Sequence, residues 1–452
     1  MTFFRCSNFL CTGSPVPDRS RVFTNISWMC ADSLIRGGVG MVVSIWMARY
    51  LGPVQFGLLN YVVAVAFLFS AVATFGMDSI VVRDVIKEPE QRYHILGTAV
   101  VVQVMGGVAA WLCAVVTAYI VQRDDMRFVA MIALLGTVSV FKASEVIKFW
   151  FESQVKSRYS VWAENGIFLV SATVKAGLIL VCAPFMAFIW VLWFEGLFTA
   201  GALLLVYSRY VGSSFRWRFQ KERWHRLIHN GTPLMVSGLA MAGYMRMDQI
   251  MLGKLLNEEA VGIFSAALRL SEAWYFIPVS IMASLFPGVI SAKNAGKLQY
   301  VARLEFTHTI MVILALALAI PMTFCADWVV ELLYGNRYHG AGMVLALHIW
   351  SALFVFLGVA SHQWFVTENL QRYVLFRTLC GALVNIMLNF ILIPAYGPMG
   401  AAIASLVAHG LVNVVLNACT QETRSIFRLQ LKSLLLMPLW NGTVLRQMGK
   451  VV

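Results

Sequence analysis

Residues 95–120 read ILGTAVVVQVMGGVAAWLCAVVTAYI, a run without a single Asp, Glu, Lys or Arg. As a helix rising 1.5 Å per residue it would be about 39 Å long. A hydrocarbon layer of roughly 30 Å is spanned by about 20 such residues. Working outward, comparable apolar runs fall at 26–48, 57–77, 128–150, 160–183, 186–208, 227–252, 262–290, 305–325, 341–365, 372–393 and 399–419. The connections between them are short and leave no room for a globular domain on either side. The pattern predicts an all-α integral membrane protein with about twelve transmembrane helices in two six-helix lobes. Composition agrees: 60% hydrophobic, 13% charged and a mean hydropathy of +0.74. A soluble domain carries about 25% charged residues.

The net charge of +13 could suggest nucleic acid, but its placement argues against that partner. With the N-terminus inside, the inner loops hold most of the cations, Arg209, Arg216, Arg218, Lys221, Arg223 and Arg226 among them. The outer side holds Arg49, Arg123, Arg127, Lys254 and Arg337. This positive-inside asymmetry predicts a cell inner membrane protein with both termini cytoplasmic. Contact with anionic lipid headgroups is a secondary role for the same cations. The eight Cys are scattered without a CxxC, which supports neither zinc nor a disulfide framework. The first run is expected to act as an uncleaved signal anchor.

The basic linker at 211–226 divides the chain. Around it the sequence predicts a cytoplasmic leader at 1–22, an N-lobe at 23–210, a C-lobe at 227–419 and an amphipathic cytoplasmic tail at 420–452. The halves coincide under a shift of about 205 positions: Asn25 falls on Asn230, Arg49 on Lys254, Leu51 on Leu256 and Gly57 on Gly262. Two six-span halves share one orientation, related by an axis along the membrane normal with a cleft between them. Gly106 and Gly107 permit close helix packing, and Pro278 a bend.

Ionisable residues in hydrocarbon are expensive and normally face a partner or a wet cavity. Asp32 and Arg36 lie one turn apart in the first run. Lys175 and Glu195 lie at similar depth in the fifth and sixth, Arg246 and Asp248 in the seventh, and Arg269 and Glu272 in the eighth. In one reading each cation neutralises a carboxylate, as Asp32–Arg36, Lys175–Glu195 and Arg269–Glu272 permit. In the other, the cations line a cleft that receives an anionic headgroup. Arg36 and Arg269 favour the second reading; Lys175 and Glu195 stay balanced between the two. Glu145 and Lys148 read as an interfacial pair, and His348 and His409 as packed or hydrogen-bonded groups. There is no Walker loop, GxSxG or HExxH, so neither an enzyme nor a cofactor is expected.

Residues 25–84 carry a further signal. Asn25-Ile26-Ser27-Trp28, Asp32 and Arg36 lead into Ala48-Arg49-Tyr50-Leu51-Gly52-Pro53 and Gln55-Phe56-Gly57-Leu58-Leu59-Asn60-Tyr61. Phe75-Gly76-Met77-Asp78 and Val82-Arg83-Asp84 follow, and Ile393 to Ala402 forms a matching late turn. This resembles the Wzx-type O-antigen and polysaccharide flippases of the multidrug/oligosaccharidyl-lipid/polysaccharide exporter superfamily. The resemblance implies movement of an undecaprenyl-diphosphate-linked oligosaccharide across the inner membrane by alternating access, coupled to an ion gradient. Arg36, Arg49, Arg269, Lys175 and Arg246 would then meet the diphosphate or sugar acids. Asp32, Glu195, Asp248 and Glu272 would be candidates for ion coupling. Such a transporter also implies membrane lipids, a polysaccharide polymerase and a chain-length regulator as partners. The alternatives are a multidrug or cation antiporter of the same superfamily and a membrane-embedded polymerase. The leader Met1–Ser20 is longer than that family leads one to expect, as an upstream start codon would make it.

Overall fold

A computed structural model describes residues 19–212 and 217–437, with side chains from residue 36 onward apart from those of Pro287 and Gln371. Most of the leader, the Asp32 carboxylate and the tail beyond residue 437 lie outside the described residues. Every regular element among the described residues is helical. In the first half these are α1 (Arg19–Leu68), α2 (Ser70–Thr74), α3 (Asp78–Lys87), α4 (Arg92–Val121), α5 (Met126–Gly136), α6 (Val138–Phe141), α7 (Glu145–Ser153), α8 (Arg158–Leu180) and α9 (Phe185–Tyr210). Then follow α10 (Lys221–Leu255), α11 (Glu258–Glu272), α12 (Phe276–Ala295), α13 (Lys297–Tyr334), α14 (Ala341–His348), α15 (Ser351–Thr367), α16 (Gln371–Tyr396), α17 (Pro398–Asn413) and α18 (Arg424–Leu434).

Among the described residues nine helices are long and apolar enough to cross a membrane, or ten if the bent pair Glu258–Phe286 and Gly288–Ala295 is one span. The expected all-α membrane architecture stands. The count is lower than the dozen runs for two reasons. The first two runs form one stretch, Arg36–Lys87, broken at Gly52, and α10 over the seventh run is not among the nine. That helix carries Arg246, Asp248 and Lys254 in its second half.

The chain forms two compact units: Met1–Leu51 with Leu58–Arg246, and Gly52–Gly57 with Met247–Val452. Unit 1 packs around Trp150, Phe151, Tyr207 and Leu227 with Met77 and Val81. The glycine pair in α4 acts as read: a Cβ on Gly106 would stand 2.4 Å from the Val72 carbonyl oxygen, and one on Gly107 2.6 Å from that of Ser139. Only hydrogen fits there, so α4 lies directly on the backbone beside it. On the opposite account, α9 leaves Trp190, Phe194, Phe198 and Leu205 exposed. Large apolar side chains in that position suit lipid as the solvent.

Unit 2 contains the two turns that the shift of 205 brings into register. Gly52 takes φ 72°, a left-handed value that breaks α1, and Pro53 restarts the helix with its φ already set. In the matching turn the Asn257 side chain accepts from the Ala260 N–H at 2.9 Å and caps α11. A Cβ on Gly57 would stand 1.7 Å from the Glu258 carbonyl oxygen, and a Cβ on Gly262 would stand 2.0 Å from that of Pro53. The two helix starts therefore touch backbone to backbone.

Elsewhere unit 2 packs around Met282, Met311 and Phe356. Helix α18 is amphipathic, as read, but its inward face rests on protein. Ile426, Leu429, Gln430 and Ser433 are buried, while Arg424, Arg428 and Lys432 are exposed. Gln430 Nε2 donates to Ser361 Oγ at 2.6 Å and to the Asn413 carbonyl at 2.8 Å. Its Oε1 accepts from Asn417 Nδ2 at 2.9 Å. Buried amides need such partners, and these fix the helix in register.

Candidate functional site

Unit 1 holds an ion cluster built on α1, α7, α8 and α9. Lys175 Nζ stands 2.8 Å from Glu195 Oε2, joining α8 to α9, and Ser171 Oγ donates to the same oxygen. Arg36 Nη2 lies 3.4 Å from Glu164 Oε2, and its guanidinium carbon is 5.5 Å from the centre of the Phe168 ring. Lys148, expected beside Glu145, reaches Glu164 instead at 3.2 Å. A cavity of about 310 Å³ opens among these groups, with Lys142, Ser144, Glu145, Glu164, Glu195 and Thr199 as its polar wall. Taking such charges out of water costs several kcal/mol per ion, and pairing offsets that cost only where geometry is good. Arg49 and Arg246 differ from these. Both are exposed and make no hydrogen bond or ion pair with the described residues.

Unit 2 holds a different arrangement. Asp248 on α10 is buried, and no described Lys, Arg or His pairs with it. Its Oδ1 accepts from Asn385 Nδ2 at 3.0 Å and Asn389 Nδ2 at 2.6 Å, and its Oδ2 accepts from the Ser405 hydroxyl. Asn385 and Asn389 are one turn apart on α16, which places both amides on one face, and Ser405 comes from α17. Asn389 Oδ1 is buried without a hydrogen-bond partner. A buried carboxylate held by two amide N–H donors and a hydroxyl is a proton acceptor, and its two oxygens are hard donors of the kind that a small cation also takes. Neutral donors alone leave an ionised group in an apolar bundle short of a counter-charge.

The remaining sequence candidates are placed as follows. Arg269 is exposed and Glu272 half-buried, one turn apart on α11. His348 is buried, its Nδ1 2.9 Å from Ser271 Oγ. Sequence reasoning missed Glu164, Asn385, Asn389 and Ser405. The i, i+4 asparagine pair inside an apolar run was the available signal, since two amides on one buried face need a shared partner.

Residues 22–293, more than half of the chain, match the polysaccharide biosynthesis protein family. The chain belongs to that family. Residues 233–391 of this polysaccharide biosynthesis protein also match the MatE family. These matches bear out the resemblance to superfamily flippases read from residues 25–84. The probable flippase AglR of Haloferax volcanii is 30% identical over 193 residues, covering 40% of this chain and 38% of AglR. The probable low-salt glycan biosynthesis flippase Agl15 of the same organism is 23% identical over 188 residues, covering 41% of this chain and 39% of Agl15. The matches thus span well under half the length of those relatives. Among solved structures, an inward-facing multidrug resistance MATE family transporter of the MOP superfamily aligns with TM-score 0.69 and 13% identity, over 90% of this chain and 99% of its own. Lipid II flippase MurJ in an inward closed conformation aligns with TM-score 0.65 and 14% identity, over 91% of each chain. At such identities the likeness establishes the fold of this multi-pass membrane protein.

Proposed function

We propose that this protein flips a lipid-linked oligosaccharide, an undecaprenyl-diphosphate-linked surface polysaccharide repeat unit such as O-antigen, to the periplasmic leaflet of the inner membrane. It is a transporter and not an enzyme, with both termini in the cytoplasm. The two lobes alternate access, and the movement draws on an ion gradient. The family match over residues 22–293 carries this reading. The chemistry agrees with it. A diphosphate cannot enter hydrocarbon without a counter-charge, and unit 1 carries the exposed cations Arg49 and Arg246 and the half-exposed Arg36. Asp248, held by two amide donors and a hydroxyl that carry no charge, is the candidate for the coupling proton or cation. A polysaccharide polymerase and a chain-length regulator would act after the flipped product.

The test is to delete the gene in its host and locate the lipid-linked oligosaccharide with a sugar-reactive probe added from the periplasm. Loss of surface polysaccharide, with complete repeat units held on the inner leaflet, is the expected result. Complete single units reaching the periplasm would point to a polymerase or ligase instead. The MatE match and the MATE fold likeness favour a second reading, a drug or cation antiporter. Drug sensitivity of the deletion strain with normal polysaccharide would decide for it.

A further inference from the structure

Two cations from two helices of unit 1 meet at one carboxylate on a third. Lys148 Nζ on α7 lies 3.2 Å from Glu164 Oε2 and 3.5 Å from Oε1, while Arg36 Nη2 on α1 lies 3.4 Å from Oε2. Charge-assisted N–H···O bonds usually run at about 2.7–2.9 Å. Glu164 thus serves two cations and fits neither closely. An arginine fork beside an ammonium is an arrangement suited to a phosphate, whose two non-bridging oxygens can satisfy both at once. The Phe168 ring beneath the guanidinium holds it in place without using its donors.

Glu164 also has somewhere to go. Its carboxylate forms part of the wall of the 310 Å³ cavity, where Lys142, Ser144 and Thr199 offer a cation and two hydroxyls alongside the carboxylates of Glu145 and Glu195. Rotation into that space would withdraw from Arg36 and Lys148 the carboxylate they share. We propose that Arg36 and Lys148 form a binding site for a phosphate of the lipid-linked substrate, and that Glu164 is its built-in competitor, which the phosphate displaces. This inference rests on the flippase reading and adds Lys148 and Glu164 to it. Displacement would sever the ties that join α1 and α7 to α8, so binding would loosen these helices from one another.

The experiment titrates the full-length protein in lipid nanodiscs with farnesyl diphosphate and, in parallel, with inorganic diphosphate. Glu164→Gln removes the competing charge and is expected to tighten farnesyl diphosphate binding about tenfold. Arg36→Gln and Lys148→Gln are expected to weaken it by a similar factor. In the Arg36→Gln background, Glu164→Gln should bring a much smaller gain, because the two residues act on one another. Should Glu164→Gln fold poorly, Glu164→Asp pulls the carboxylate back from both cations and should tighten binding in part. Unchanged or weaker binding in both Glu164 variants overturns the proposal. If wild type binds the lipid probe in that case, the flippase reading survives. No affinity of wild type for either probe would remove both. A gain confined to inorganic diphosphate would make the ligand a free anion and break the link to the lipid substrate.

Discussion

Asp248 accepts three hydrogen bonds from groups that carry no charge. No fixed counter-charge among the described residues accompanies its ionisation, and under the proposed function a proton or cation supplies one. Asp248→Asn keeps the shape and deletes the titrating group. Transport into inverted membrane vesicles should fall about tenfold or more and lose its dependence on the proton or sodium gradient. Its folded state should melt no lower than wild type, since a buried unpaired charge has been removed. Full gradient-dependent transport by the variant would refute the assignment. Outside the spans, Arg223 donates a hydrogen bond to Glu88 and holds its carboxyl below the ordinary carboxylate range. The stability this contributes is present above the unfolded carboxylate value, about 4.3, and is lost as pH falls through the lower folded value. Melting curves of wild type and Glu88→Gln should therefore differ at neutral pH and converge in acid. At this scale the sequence was legible where charge stood in an apolar run, as at Arg36, Lys175, Glu195 and Asp248. Asn385, Asn389 and Ser405 were not legible. Uncharged polar residues are common in membrane helices, and only the fold reveals which of them turn toward a carboxylate.

That the runs are helical followed from length and apolarity, because lipid forces every backbone group to pair within its own helix. What the runs could not reveal was continuity. A single left-handed residue, Gly52, separates the first two runs, with no intervening loop. The contact between the two helix starts gives a sharp test. Gly57→Ala or Gly262→Ala drives a methyl into a carbonyl oxygen and should destabilise by about 1–3 kcal/mol, read as a lower melting temperature. Among the described residues nothing lies within 4 Å of the would-be Cβ of Gly37, so Gly37→Ala should be neutral or slightly stabilising. Equal effects at Gly37 and Gly57 would mean that helix propensity, and not the close approach, governs these sites. Helix α18 carries a related lesson. Its amphipathic pattern was plain, but the burial of Gln430 and Ser433 on its apolar side was the sign that protein, not lipid, receives that face.

For the molecule as a whole, the placement of basic residues implies one orientation. Reporters fused to either end, alkaline phosphatase for the periplasm and a fluorescent protein for the cytoplasm, should both score cytoplasmic. A phosphatase-active fusion at one end would make the number of crossings odd. The correspondence of the two halves rests on only a few coincident residues, because apolar segments resemble one another whatever their origin. Two of those residues meet in one local contact. Gly57 meets the carbonyl of Glu258, and Gly262 meets that of Pro53. Each residue of one contact is the other's counterpart under the shift of 205 positions. Contacts of that reciprocal kind are isologous, the sort that arise when a surface meets its own copy across a two-fold axis. Gly57 and Gly262 therefore answer to one requirement: a methyl at either position forces apart the same two helix starts, so a change at one alters what the other can tolerate.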